Sequence, residues 1–559
     1  MRTPYWTGLT GLVLLALALR LPLLGWAADS YRLTEAFSIE EVENIRISTG
    51  MLHERSANPH AFEYPSLFYV LSLLVEAPVR AMRGADWTSY LVAVRSLSLG
   101  FGLVVVVLGA ELARRLGGPL AGLLAAALLS TDRTMIELSA MAKPNMAQVA
   151  FLLAGFLALL SLAVRPRLAT AALATALFAL ATASKWLGGL GLVGLVVAPA
   201  LARGAGEARP GEKGPAAFLR ALGRGLTAPV SPARLLVPLA VFGGVLLLAM
   251  PFALLSPKEF AYGFGQVLFA QAGNRRPLPP WISLEYARQS LGWVGAALAL
   301  GGVAWGVRNL LGWDGGPRAR QVALVFGWTA AYGLLVLFVF ARLPSYIDLL
   351  VPFLAVLAGA AWAGSEGFFA RRPTWARLVV AVALLGGVMA NAGWARARAV
   401  SLDADTRTAA GRWLAEHARV EDRVVADLGV FVPDSLVHVR WNWWGNPPRP
   451  IYDETRTWGD DPVWPDDWYG GHRQLWFVHA RWTAPESLLA TGPRYVATHE
   501  EWVAKRRAPG RSTWGAAGYD RSLADGSAGY AEAARFSGDV TGPHRGPTIL
   551  IYERREDVR

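Results

Sequence analysis

No cysteine occurs anywhere in the 559 residues, which excludes a disulfide framework and a thiolate zinc site and leaves the redox compartment open. Charge is scarce too: Asp, Glu, Lys and Arg make up 17% of the chain, against 53% hydrophobic residues. No internal repeat is visible. The formal charge of +12 does not point to nucleic acid, because the Lys and Arg residues sit in short clusters between apolar runs, as they do in the cytoplasmic loops of membrane proteins. What the chain has in quantity is apolar runs approaching the roughly 20 residues that a helix needs to cross a bilayer. It reads as a polytopic α-helical membrane protein.

The first run, "WTGLTGLVLLALALRLPLLGW", carries Arg20 near its far end and reads as a retained signal anchor. Further spans are expected at 91–112, 116–131, 147–164, 168–184, 187–202, 234–255, 289–307, 321–341, 346–364 and 377–394, about eleven in all. The stretch 64–82 decides the sidedness of everything after it. If it does not cross, the basic clusters at 113–118, 165–167, 203–234, 308–320 and 370–377 all fall on the side of the N-terminus; if it crosses, all lie outside. Residues 64–82, interrupted by Glu76 and Pro78, are therefore expected to form a helix lying in the interface. The first external loop then runs over 28–90, and the Gly-, Pro- and Arg-containing loop 203–234 is a flexible cytoplasmic connector. Residues 1–394 form the transmembrane domain, and 395–559 form a polar, Trp-rich soluble α/β domain on the outer face. In that tail, 403–418 reads as a helix with Ala410, Trp413, Leu414 and His417 on one face, while "RVVADLGV" and "TILIY" read as strands.

Ionisable groups at membrane depth are costly and are functional candidates by default. By this topology they gather on the outer side: Glu40, Glu41 and Glu43, Arg95, Asp132, Glu137 and Lys143, Lys185, Arg275 and Arg276, and Arg342 with Tyr346 and Asp348. Carboxylates mixed with cations suit a reaction in which one carboxylate accepts a proton while cations hold an anionic leaving group such as a phosphate. Each has a plainer reading: glutamates in an external loop are usually solvated, and Lys185 at a helix end is equally a snorkelling lysine. Arg342 goes against the positive-inside bias and calls for an anionic partner.

The acidic pair, "NPHAFEYPSLFYVLS" (58–72), Arg95, "RRLGG" (114–118), "ELSAMAKPNMAQVAF" (137–151), "SKWLGG" (184–189) and "RLPSYIDLLVP" (342–352) follow one another in an order that resembles the GT-C membrane glycosyltransferases of glycosyltransferase family 39. These are of the protein O-mannosyltransferase and aminoarabinose transferase type, and the resemblance covers roughly 5–400. It implies transfer of a sugar from a polyprenyl-phosphate carrier to an acceptor on the outer face. It also implies that Glu40 and Glu41 stand where the family has Asp-Glu, with Glu40 as the general base, or as a group that positions the acceptor and helps bind a divalent metal, Mg or Mn. Lys185 and Arg342 match basic positions near the carrier phosphate, Arg95 matches an arginine at the outer end of the second span, and Tyr346 joins them as a donor-phosphate contact. Glu137, Lys143 and Asn145 are the second-loop candidates. Asn145 replaces the family's Asp and Ala140 its occasional His, so a metal here would lose one anionic oxygen ligand.

The expected partners are the polyprenyl-phosphate sugar donor, the bilayer and an acceptor that is protein, lipid or glycan, in a bacterial inner membrane. Two other classes compete. A transporter would line a pathway with charges near the midplane, whereas these charges lie at span ends; an accessory subunit would keep the scaffold without catalysis. In the tail, the tryptophans of 440–471 form a domain core, anchor to headgroups or face sugar rings, and Asp460, Asp461, Asp466 and Asp467 lack the regular spacing of a calcium loop.

Overall fold

The structure is a computed structural model. It describes residues 2–555 except 29–30, 85, 207–211, 230, 274–279, 340–343, 364–381, 383–384, 395, 398–404, 421, 428, 434, 442–473, 478–491, 501–502, 504–515 and 539–545. The chain divides into two units: Met1–Leu24, Ala57–Leu74 and Val94–Arg396 in one, Gly25–Ser56, Val75–Ala93 and Ala397–Arg559 in the other.

The first unit is helical because its apolar runs leave the backbone no partner but itself. In chain order the helices up to residue 363 are α1 (Arg2–Arg20), α2 (Tyr31–Phe37), α3 (Ile39–Glu54), α4 (Leu67–Arg83), α5 (Trp87–Gly117), α6 (Pro119–Thr131), α7 (Arg133–Ser139), α8 (Asn145–Leu162), α9 (Leu168–Ser184), α10 (Leu192–Gly206), α11 (Gly214–Thr227), α12 (Pro232–Ala249), α13 (Phe252–Leu255), α14 (Pro257–Gly273), α15 (Trp281–Leu311), α16 (Pro317–Phe338) and α17 (Val351–Ala363); of these, α2, α3, the end of α4 and the start of α5 belong to the second unit. Among the described residues seven helical segments are long and apolar enough to cross a membrane, and three shorter apolar ones, including α6 and α9, accompany them. The protein is a multi-pass membrane protein. Of the expected span 377–394, residues 382 and 385–394 are described and are helical, and the rest lie outside the described residues.

Local chemistry sets the boundaries. "GGP" ends α5 at Gly117, puts Gly118 at φ +93°, which favours glycine, and starts α6 with Pro119 at its first position. The central helix is α8, most of which is buried, with Phe156 meeting Phe178, Trp328 and Phe353 at centroid distances of 6.0, 5.3 and 4.8 Å. Leu235, Leu236, Leu239 and Leu248 of α12 are exposed, as a lipid-facing helix requires.

Two features were not expected. The loop 203–234 is not a loose connector throughout: α11 packs on α10, and glycine allows the approach. A Cβ on Gly204 would lie 1.8 Å from the Ala221 carbonyl oxygen, and one on Gly225 would lie 1.9 Å from that of Ala200. Helix α15 is broken at Gly292 (φ 70°, ψ 172°). The Leu291 carbonyl freed there accepts from Asn391 Nδ2 (3.4 Å), Arg133 Nε donates to Asn391 Oδ1 (3.1 Å), and Ser290 Oγ donates to Asp132 (2.8 Å to either oxygen). Asp132 in turn caps α7 by accepting from the Met135 amide at 2.9 Å.

The expected interfacial helix is α4, and its burial is one-sided. Phe68, Tyr69, Ser72 and Glu76 are buried while Leu74, Ala77, Pro78 and Met82 are exposed, an amphipathic pattern. Ser48 Oγ of α3 donates to Glu76 Oε1 at 2.7 Å, and burial pushes the Glu76 carboxyl up to about 8.

The second unit carries a six-stranded sheet of β1 (Arg423–Ala426), β2 (Val437–Trp441), β3 (Gln474–Phe477), β4 (Tyr495–His499), β5 (Tyr530–Phe536) and β6 (Ile549–Arg554) in the order β3-β2-β1-β4-β6-β5. The first four are parallel, β6 pairs antiparallel with β4 and β5 antiparallel with β6, so the expected α/β character and both quoted strand segments are present. Helix α18 (Thr406–His417) buries Ala410 and Leu414 against Val424, Tyr495, Ile549 and Ile551, while Trp413 and His417 stack on each other at 4.2 Å. A last helix, α19 (Ala516–Ala524), precedes β5. Trp443, Trp444, Trp458, Trp464 and Trp468 and the four aspartates among them lie outside the described residues.

Candidate functional site

Lys185 terminates α9. Its amide donates to the Ala181 carbonyl (3.0 Å), its φ of −158° takes the chain out of the helix, and its own carbonyl accepts from the Gly188 amide (2.9 Å) and from Gln148 Nε2 (3.1 Å). The fold-back needs glycine at 188, where a Cβ would lie 2.4 Å from the Ala181 oxygen. Its ammonium stands 5.8 Å from the centroid of the Tyr64 ring, within cation–π range. The next residue, Trp186, donates from Nε1 to the Glu63 carbonyl (3.2 Å) and packs on Phe264 at 4.9 Å.

Asp348, in the turn Pro344–Leu349, is the carboxylate on which the Lys185 charge acts. It is 2% exposed, and Asn145 Nδ2 donates to its Oδ2 across 2.6 Å. Asn145 is equally buried and opens α8 directly after Pro144. Tyr346 is half-buried, and its carbonyl accepts from the Tyr332 hydroxyl at 2.9 Å. A buried carboxylate among apolar helices is tolerated only when paired and hydrogen-bonded. Here the Asn145 amide supplies the hydrogen bond, and the Lys185 charge acts on the carboxylate from a distance.

The other candidates are placed less uniformly. Arg95 is buried and donates from Nη1 to the Leu24 carbonyl (2.9 Å); one turn on, Ser98 Oγ donates to the Lys143 carbonyl (3.3 Å), tying α5 to the second loop. Glu137 of α7 and Lys143 are half-buried. Arg342, Arg275 and Arg276 lie outside the described residues. In the second unit, Glu40 and Glu41 occupy the first turn of α3, where carboxylates suit the helix dipole. They differ sharply: Glu40 is exposed and Glu41 is fully buried. Glu43 pairs with Arg46 at 3.1 Å.

Sequence reasoning noted Asp348 without choosing it, although an acid inside the apolar run "YIDLLVP" was the available signal. It passed over Gln148 and the group in which Asn58 Nδ2 donates to Glu259 (3.3 Å) and His60 Nδ1 meets Glu259 at 3.2 Å, for which no spacing signal exists. Among the described residues no group of three His, Cys, Asp or Glu side chains is placed to hold a metal ion. The Asn145–Asp348 pair offers one carboxylate beside a lysine, a donor set that does not fit Mg or Mn.

No protein-family model matches the chain, and no curated protein matches it. Solved structures do. The oligosaccharyltransferase of Archaeoglobus fulgidus in its apo form is 12% identical, with 92% of this chain and 71% of that chain covered and a TM-score of 0.54. The same organism's oligosaccharyltransferase AglB, in complex with an inhibitory peptide and a dolichol-phosphate, is 13% identical over 89% of this chain and 69% of that one, with a TM-score of 0.50. ArnT from Cupriavidus metallidurans bound to undecaprenyl phosphate is 13% identical over 97% of this chain and 98% of that one, also at 0.50. At such identities the likeness is one of fold, and the chain has the GT-C glycosyltransferase fold.

Proposed function

We propose that the protein is a membrane glycosyltransferase that moves a sugar from a polyprenyl-phosphate donor to an acceptor hydroxyl on the outer face of a bacterial inner membrane, with inversion at the anomeric carbon. The observation that carries this reading is the buried Asn145–Asp348 pair under the charge of Lys185, at the ends of apolar helices. Lys185 itself stands at the C-terminus of an apolar helix, a position from which a cation can meet the phosphate of a membrane lipid. The ArnT and AglB structures with undecaprenyl phosphate and dolichol-phosphate lend the donor class its support.

In this reading the acceptor oxygen attacks the anomeric carbon as its bond to the phosphate oxygen breaks. The bonding pair leaves with the polyprenyl phosphate, and the hydroxyl proton passes to Glu40, the exposed member of the acidic pair. Lys185, with Arg342 and Tyr346, neutralises the departing phosphate. Arg95, bonded to the Leu24 carbonyl, joins this set through the frame it holds. Purified protein in nanodiscs, given radiolabelled polyprenyl-phosphate sugars, tests the proposal. Wild type is expected to transfer or hydrolyse at least one donor, and Glu40→Gln to lose that turnover. Unchanged turnover in the variant removes Glu40 from the mechanism, and no turnover with any donor favours an accessory protein built on the same scaffold.

A further inference from the structure

The strand order β3-β2-β1-β4 reverses direction at β1, so the chain returns to the far side of its first strand. In open parallel sheets the crevice outside the carboxyl ends of the two strands at such a reversal is where ligands bind. Here β1 ends at Ala426 and β4 at His499. The mouth between them is laced shut: the Asp427 amide donates to the Ala497 carbonyl (2.9 Å), and Asp427 Oδ2 accepts from the His499 amide (3.0 Å). Gly429 follows at φ +91°, and a Cβ there would lie 3.3 Å from His499 Cδ2 and 3.8 Å from the carbonyl oxygen of Ala36.

Ala36 belongs to α2, in the first loop. Its carbonyl is one of those that the end of a helix leaves without an internal partner, and Arg407 Nη1 donates to it at 3.4 Å. The same guanidinium lies 4.2 Å from the centroid of the Phe37 ring. Its other edge is fixed on Asp405, with Nε to Oδ1 at 2.9 Å and Nη2 to Oδ2 at 3.2 Å. Asp405 also caps α18 by accepting from the Arg407 amide at 2.9 Å, so the arginine is braced before it reaches α2. Phe37 stacks edge-on against Trp26 at 4.4 Å, and Phe431, two residues beyond Gly429, packs on the same cluster.

The joint that follows is short. Only Ser38 separates Phe37, the last residue of α2, from Ile39, the first of α3. Glu40 and Glu41 are in the turn immediately after. Whatever fixes the end of α2 therefore fixes the direction in which α3 starts.

We propose that the switch-point crevice of the sheet is a docking site for the chain's own α2, and that Arg407 is the positioning residue that sets the α2–α3 joint and, through it, the carboxylates of Glu40 and Glu41. The soluble domain then holds the acidic loop in place instead of binding a ligand of its own at this crevice. The role given to the carboxylates rests on the function proposed above; the docking does not.

Full-length protein in nanodiscs, as wild type, Arg407→Lys and Arg407→Ala, is compared by hydrogen–deuterium exchange. In Arg407→Ala, peptides over 31–48 are expected to exchange about tenfold faster or more, while those over 423–426, 495–499 and 549–554 keep the wild-type rate, since a segment opens locally more often once the bonds that hold it are removed. Arg407→Lys keeps the charge, loses the planar fork and falls between. Unchanged exchange over 31–48 in both variants, or a loosening of α2 and the strands together, overturns the docking. On the most active donor lipid, kcat should fall in the same order with KM for that lipid unchanged. Faster exchange without a fall in kcat supports the docking and overturns the link to Glu40.

Discussion

Asn145 and Asp348 lie 203 positions apart in the chain and meet through a 2.6 Å hydrogen bond, amide nitrogen to carboxylate oxygen, with both side chains withdrawn from solvent. The resemblance expects a carboxylate at 145; the structure has an amide there and a carboxylate opposite, under the charge of Lys185. If the chemistry of the pair matters more than which position holds the acid, exchanging the two is tolerated better than losing either. Asp348→Ala is expected to lower stability by about 1–3 kcal/mol, because the buried Asn145 amide loses its hydrogen-bond acceptor. The double variant Asn145→Asp/Asp348→Asn should recover most of that loss and most of the donor turnover. Thermal unfolding in detergent with the radiolabel assay measures both, and a double variant no better than Asp348→Asn alone would show that the acid is needed at 348.

Lys185 is anchored through its backbone, so removal of its side chain should act on binding more than on folding. Lys185→Ala is expected to weaken undecaprenyl phosphate binding and to cut turnover by roughly 10²–10³-fold, as for the loss of one preorganised charge donor. Titration of radiolabelled undecaprenyl phosphate onto the protein in nanodiscs measures the affinity. Equal affinity in wild type and variant would remove the lysine from the phosphate site.

Glu40 and Glu41 are neighbours with opposite surroundings, and the two glutamine variants should separate accordingly. Glu40→Gln is expected to leave the melting temperature unchanged and to reduce kcat by about 10²–10⁴-fold, the usual worth of a general base. Glu41→Gln, in the buried position, should lower the melting temperature. A Glu40→Gln variant with wild-type kcat would end its assignment as the base.

Glu76 makes stability depend on pH in an unusual direction for an acid. Its carboxyl is near 4.5 in the unfolded chain and at about 8 when folded, so between those values the folded state binds the extra proton. Stability is then greatest at the acid end of this window and falls as pH rises through it, by a few kcal/mol before relaxation of the site. Melting temperatures between pH 5 and pH 9 should show this decline in wild type, and Glu76→Gln should flatten it while keeping a partner for Ser48. A decline of equal slope in the variant would place its origin elsewhere.

Much of the architecture was legible because the bilayer imposes a coarse rule, a long apolar run, on nearly every helix of the first unit. The "GGP" break between α5 and α6 and the helix and strands of the tail also follow from local composition. Helix α11 escaped because its packing signal is three small residues, Ala217, Ala221 and Gly225, within a stretch otherwise rich in Arg and Gly. The site was legible one residue at a time and not as pairs. Nothing near Asn145 announces Asp348, and Arg407 meets Ala36 across 371 positions. Partnerships of that range are fixed by the topology of the fold, which a single sequence does not display.

The break in α15 bears on how the protein meets membranes of different thickness. A continuous helix of 31 residues would run about 46 Å at about 1.5 Å per residue, well beyond a hydrocarbon core of about 30 Å. An unbroken rod of that length must tilt or bend to suit its lipids. Cut at Gly292, the segment after the glycine can follow the bilayer while Trp281–Leu291 takes its bearing from Asp132 and Asn391, so a thicker or thinner membrane would change the slope of the one and leave the aim of the other to the protein.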